Sequence, residues 1–191
     1  MRLRLRANRS VDPVELLHDY ARVQRRAGFL DDAALLADVT QTAAEDVDAE
    51  SALRLAREAM AAADAAYESD ESDWPAITDY DRLQAAFDEL AERGVVVLQA
   101  VEDHWTAERL LAERRDLGEP MRGVAWFTAP DVWHAVDHGM LELNVWHGSS
   151  ANVAPGHELL DEVIGVLAAN GLSGHFDEGR IEISAYWQRR L

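Results

Sequence analysis

Apolar residues recur at spacings of three and four over the first third of the chain, and later at every second position in short runs. The first spacing predicts helices and the second predicts strands. Asp12-Pro13 opens the first predicted helix with an N-cap and a proline at the first helical position. Leu16, Tyr20, Val23 and Ala27 form its stripe, and Gly28 ends it. Asp31-Asp32 starts a second helix carrying Leu35, Leu36, Val39 and Ala43. Asp48 caps a third, on which Leu53, Ala56, Met60, Ala63 and Tyr67 form a seam. Alanines at 59, 61–63, 65 and 66 let a neighbouring helix approach closely. Glu68 to Asp73 then breaks the apolar pattern with four acids, which predicts a solvated linker.

The stretch Trp74 to Leu98 reads as a capped helix running directly into a buried strand. Thr78 and Asp81 have capping-box spacing, and Leu83, Ala86, Phe87 and Leu90 share one face. Arg93 suits the last turn, Gly94 suits a left-handed cap, and Val95 to Leu98 follows as an apolar, β-branched strand. Farther on, Thr106 to Asp116 predicts an exposed helix, Gly123 to Phe127 a strand, and Pro130 to His138 a short helix closed by Gly139. Leu141, Leu143 and Val145 alternate with Glu142, Asn144 and Trp146, as in a strand covered on one face. Pro155 to Asn170 predicts an amphipathic helix. Leu172 to Phe176 and Arg180 to Trp187 predict a hairpin around a three-residue loop, Asp177-Glu178-Gly179.

These elements predict an α+β protein with an N-terminal helical subdomain packed on a mixed, mostly parallel sheet of about five strands ending in an antiparallel hairpin. The predicted division is 1–73, helical with an acidic linker, and 74–191, the sheet domain.

Charge and composition narrow the chemistry. The chain has 191 residues and a net charge of −18, with no cysteine. Thiolate metal sites, disulfides and cysteine nucleophiles are therefore excluded. All 18 basic residues are arginine, which removes Schiff-base and P-loop lysines. So acidic a chain repels nucleic-acid backbones and anionic membranes, so neither is an expected partner. The locally basic start, Met1 to Arg9, lacks the apolar core of a signal peptide, and no run approaches a membrane span. The expected location is cytoplasmic.

Several short motifs together resemble an uncharacterised bacterial family known as domain of unknown function 6891. They are Gly28-Phe29-Leu30-Asp31, Trp74-Pro75, Thr78-Asp79, Asp81-Arg82-Leu83, Gly94-Val95, Arg122-Gly123 and Asp131. At the end, Gly171-Leu172, Gly179-Arg180-Ile181 and Trp187-Gln188-Arg189-Arg190 match as well. The resemblance spans roughly 20–191 and implies a shared fold, with no activity attached. It also implies a cysteine-containing segment after the first strand and a Tyr-His-x-Gln-Asp turn. Here those places read Val101-Glu-Asp-His-Trp105 and Trp126-Phe-Thr-Ala-Pro-Asp131, so thiol or histidine chemistry of that kind is lost.

The sharpest candidate chemistry is His134-Ala-Val-Asp137-His138. Histidines at i and i+4 share a helix face and can clamp one metal ion, with Asp137 beside them. An exposed helix face explains the same residues without metal. Ser149 and Ser150 lie near His147 and His157, but no nucleophile elbow accompanies them. Trp126, Trp146 and Trp187 read either as core or, beside Arg82, Asp131 and Arg180, as a pocket or partner surface.

Together these readings predict a non-catalytic, acidic protein-binding module with a basic protein partner, no cofactor, and a monomeric or homodimeric state. The competing reading is a metal-dependent hydrolase using His134 and His138.

Overall fold

A computed structural model of the chain describes residues 12–119, 121–149 and 152–191. The basic start therefore lies outside the described residues, apart from the cap that follows it. Seven helices and five strands follow in the order α1 (Pro13–Ala27), α2 (Asp32–Ala43), α3 (Ala49–Ser72), α4 (Asp79–Glu92), β1 (Val95–Val101), α5 (His104–Asp116), β2 (Gly123–Thr128), α6 (Ala129–His138), β3 (Met140–His147), α7 (Glu158–Ala169), β4 (Ser173–Asp177) and β5 (Arg180–Ser184). The architecture is α+β. The chain divides into two compact units, Met1–Pro75 with Gln188–Leu191, and Ala76–Trp187.

In the helical unit, α1, α2 and α3 close around Leu17, Ala21, Leu35, Val39, Ala43, Ala52, Ala56, Ala59 and Ala63. Asp12, Asp31 and Asp48 accept backbone N–H bonds at the three helix starts. Two details differ from the expected stripes. On α1, Val23 and Ala27 are buried as expected, but its first half buries Leu17 and Ala21, with Leu16 and Tyr20 only partly covered. On α3 the seam runs through Ala52, Ala56, Ala59 and Ala63, and the larger Leu53 and Met60 stand beside it. Small side chains at the seam allow the α1 and α3 backbones to approach, so larger neighbours are pushed to its margin.

The acidic stretch 68–73 is not a linker. Residues 68–72 form the last turns of α3, Asp73 is its C-cap, and Trp74 and Pro75 remain in the same unit. Tyr67 explains the extension: it is buried, accepts a hydrogen bond from the Leu191 N–H, and donates to the Arg189 carbonyl. Arg26 pairs with Asp70, so the acids stand on the exposed side of an anchored helix.

The second unit is built on one sheet with strand order β1-β2-β3-β5-β4. Among the described residues only β1 and β2 pair in parallel; the other three pairings of the sheet are antiparallel. The sheet is mixed as expected, but parallel pairing is the minority. A parallel crossover must return the chain to the edge where the first strand began. The ten-residue α6 joins β2 to β3 almost without linkers, so it reverses the chain instead. Helix α7 does make a crossover, from β3 to β4, leaving a gap one strand wide that β5 fills. The hairpin turn holds only Glu178 and Gly179, both at positive φ (43° and 94°), rather than the three residues expected. Positive φ at both central residues matches the right-handed twist of the strands.

One sheet face carries Val95, Ala125, Phe127, Leu141, Leu143, Val145, Ile181 and Ile183, all fully buried or nearly so. Phe87 of α4 packs 5.9 Å from Phe127, and Trp187 sits 5.8 Å from Phe127 and 4.8 Å from Tyr80. The capping box at Thr78 fixes how α4 enters this layer: Asp81 N–H donates to Thr78 Oγ1, and Thr78 N–H donates to Asp81. Gly94, at φ +80°, turns α4 into β1.

Two outcomes test this account. Thr78→Ala is expected to destabilise the protein by about 1 kcal/mol in urea denaturation, with Thr78→Ser retaining most of that stability. In the helical unit, burial first and then the hydrogen bond to Asp38 push the Tyr20 phenol up to about 12. Its neutral form is thus favoured in the fold, a contribution complete below the phenol's ordinary value near 10 and lost as pH rises towards 12. Urea denaturation between pH 9 and roughly 12 should show wild type losing stability faster than Tyr20→Phe.

Candidate functional site

The second sheet face is covered over only part of its width. Val124 and Trp126 of β2 pack with Ala107 and Leu111 of α5, and Leu98, Val101, Met121 and Trp146 border them. Beyond Trp146 the same face carries Glu142, Asn144, Arg180, Glu182 and His175, a polar surface of partly buried and exposed side chains. Arg180 pairs with Glu142, and His175 stands 3.7 Å from Glu182. Trp126 and Trp146 meet edge to face at 5.5 Å, and His104 lies 6.5 Å from Trp146. Among the described residues, the Trp126 Nε1–H is buried without a hydrogen-bond partner.

Of the six expected surface residues, the sheet therefore brings three to one face: Trp126, Trp146 and Arg180. The other three lie apart. Trp187 is fully buried on the opposite face, so it is core rather than surface. Asp131 accepts from the Thr128 N–H at 2.6 Å and its hydroxyl at 2.7 Å, and so serves as a helix cap. Arg82 is exposed and reaches Asp79 at 3.3 Å. Even Trp126 is only 8% exposed, whereas Trp105, not singled out by its sequence context, is 55% exposed.

Val101 pairs with Thr128, so the two segments where the resemblance implied cysteine and histidine chemistry do lie side by side. Two of their three acids are occupied locally. Asp103 caps α5 through the Trp105 N–H, and Asp131 caps α6.

His134 and His138 share a helix face, with ring centroids 4.7 Å apart. Among the described residues, no group of three or more histidine or carboxylate side chains is placed to hold a metal ion. Two imidazoles with Asp137 nearby do not complete a first coordination shell. A second imidazole pair was not foreseen. His147 Nε2 lies 3.0 Å from His157 Nδ1, which also accepts from the Ala154 N–H at 3.1 Å. That backbone donor makes Nδ1 an acceptor, so His147 presents its Nε2–H to it. The pair borders a recess of about 380 Å³ with Arg122, Glu158 and Leu159. It orders the turn before α7; Ser150 lies outside the described residues.

Arg122 is fixed from its other side. Its terminal nitrogens reach Glu162 at 2.6 and 3.0 Å, and one also donates to the Arg93 carbonyl at 3.2 Å. Hydrogen bonds from Arg122 hold the Glu162 carboxyl below the usual range, with Arg93 adding to the effect.

The helical unit carries a different kind of locus. Glu45, Asp46, Asp48 and Glu50 are all exposed around the turn between α2 and α3. Ser51 N–H and hydroxyl, with the Glu50 N–H, hold the Asp48 carboxyl low, so it stays ionised. Of these acids, Asp46 lines a small recess of about 50 Å³, together with Val14, Leu17, Val47 and Leu55. Val14 and Val47 are 40% and 37% exposed. The sequence shows these acids, but helix capping explains Asp48 and nothing local places Val14 beside Val47.

Among the described residues, no helix is long and apolar enough to cross a membrane. A family model described as Domain of unknown function (DUF6891) matches residues 11–191. No curated protein and no solved structure matches the chain.

The Arg122–Glu162 pair gives a pH test. Because the folded Glu162 value is depressed, its contribution is present above the ordinary carboxylate range and lost as pH falls through the folded value. Urea denaturation from neutral pH down to roughly pH 3 should show Glu162→Gln less stable than wild type at neutral pH. That difference should shrink on acidification.

Proposed function

From the premise that the chain belongs to the family with Domain of unknown function (DUF6891), a membership that brings no activity with it, we propose a non-catalytic binding module. Its partner is a basic protein, engaged through the acidic surface. The observation that carries this reading is the α2–α3 turn, where Asp46 lines a recess with Val14 and Val47, and three more exposed carboxylates, Glu45, Asp48 and Glu50, stand around the same turn. An apolar centre with a charged rim is the arrangement by which protein surfaces combine affinity with selectivity. The matching segment offers an apolar side chain flanked by arginine or lysine. The net charge of −18 adds long-range attraction for such a partner and accelerates encounter at low salt. Regulation or neutralisation of that partner follows if its basic surface is what it uses elsewhere. The residues proposed to act are Glu45, Asp46, Asp48 and Glu50 for charge, and Val14 and Val47 for apolar contact.

Capture from native lysate on immobilised full chain, with the retained proteins identified by mass spectrometry, tests the reading against the triple variant E45Q/D46N/E50Q. Asp48 is kept because it caps α3. Wild type should retain a basic protein that elutes as salt is raised, and the variant should lose most of it. Absence of any basic protein at low salt, or equal retention by the variant, overturns the proposal.

A further inference from the structure

Between residues 76 and 187 there are twenty acidic residues and seven arginines, yet three of those arginines line a single recess. It encloses about 600 Å³ between the end of α5, the chain entering β2, and the turn after β3. Leu111 and Met121 supply apolar wall, Arg114, Arg115 and Arg122 supply the cations, and Gly148 lines it from β3's exit. No carboxylate is among its described lining residues, though Glu119 pairs with Arg114 and Glu162 with Arg122 from beside it. In so acidic a stretch, that is the opposite of what composition alone would produce.

Helix electrostatics explains part of this. Arg114 and Arg115 occupy the last turn of α5, where cations complement the macrodipole. It does not explain Arg122, which comes from the entry to β2 and is anchored by Glu162 rather than by the helix end. A guanidinium has five N–H donors, and the bonds to Glu162 and the Arg93 carbonyl use three of those on Arg122. The frame is also tight. Gly148 N–H donates to the Arg122 carbonyl at 2.9 Å, and a side chain at 148 would collide with the Met121 carbonyl. The apolar wall continues into the cluster that holds Trp126 and Trp146.

We propose that this recess binds an organic anion with an apolar body. The anionic head meets Arg114, Arg115 and Arg122, and the body lies against Leu111 and Met121. The volume is within the roughly 300–1,000 Å³ of small-molecule sites, and planar guanidinium forks suit both carboxylate and phosphate heads. This site lies in the sheet unit and does not depend on the acidic turn of the helical unit.

Isothermal titration calorimetry on the full chain tests it with octanoate and octyl phosphate as probes, and with octyl glucoside and inorganic phosphate as references. One octyl anion should bind per chain, at least roughly tenfold more tightly than either reference, with affinity falling as salt rises. Whichever of the two anions binds more tightly identifies the head group the site prefers. R114Q/R115Q, at two exposed positions, should weaken binding at least roughly tenfold while leaving the circular dichroism spectrum unchanged and lowering Tm by only a few degrees. S149W keeps the arginines but fills the recess, and should cause a similar loss. No binding of either octyl anion at millimolar concentration, equal binding of octyl glucoside, or full affinity retained in either variant overturns the proposal.

Discussion

The alternation of side chains along β2, β3 and β5 is the constraint on which the sheet unit depends. Because neighbouring residues on a strand face opposite ways, the register that buries Phe127, Leu143 and Ile181 on one face also sends Trp126, Asn144 and Arg180 to the other. A slip of one residue would exchange these sets and drive Asn144 and Arg180 under α4 and α7. Burying one large aliphatic or aromatic side chain contributes about 1.5–3 kcal/mol. The row of buried residues on the covered face therefore fixes the register far more strongly than any polar pair on the open face. Trp187 closes this layer, fully buried between Tyr80 and Phe127.

The open face follows from the way the chain is connected. Helix α5 lies over β1 and β2 and α7 packs with α4, while the second face of β3, β5 and β4 carries only partly buried or exposed side chains among the described residues. Polar side chains occupy it, and the Glu142–Arg180 pair crosses between strands there. Such an exposed pair contributes little stability, typically below about 1 kcal/mol. Its value is in keeping the surface wet beside the aromatic step made by Trp126 and Trp146. The recess proposed to take an organic anion stands at the end of this same α5 layer, where apolar wall and arginines meet.

The helical unit solves a different packing problem. Its centre is made largely of alanine, so few large side chains are buried and close backbone approach supplies the contact instead. Long side chains then lie at the margins, which leaves Val14 and Val47 exposed at one end of the bundle. An acidic turn beside that apolar edge is a surface suited to a partner, and the module reading rests on that juxtaposition. Tyr67 performs the complementary task at the other end, where its hydroxyl bonds the chain's last residues and keeps α3 helical through its acidic turns.

What the amino-acid order settled unaided was local. Asp12, Asp31, Asp48 and Thr78 cap helices because a short polar side chain reaches its own backbone, and Gly94 accepts a left-handed turn without help from distant residues. The strand at Leu141 to Val145 was legible for the same reason, since its period is written in consecutive positions. Tertiary structure decided everything that required a choice among equivalent neighbours. It chose Leu17 over Leu16 and Ala52 over Leu53, extended α3 through the acids by giving Tyr67 a partner more than a hundred residues away, and made three of four strand pairings antiparallel. It also separated Trp187 from Trp126, and brought Arg114 and Arg115 of α5 together with Arg122 and the turn after β3 around one recess. Such convergences depend on contacts between residues far apart in the chain, whose energies no local pattern of spacing records.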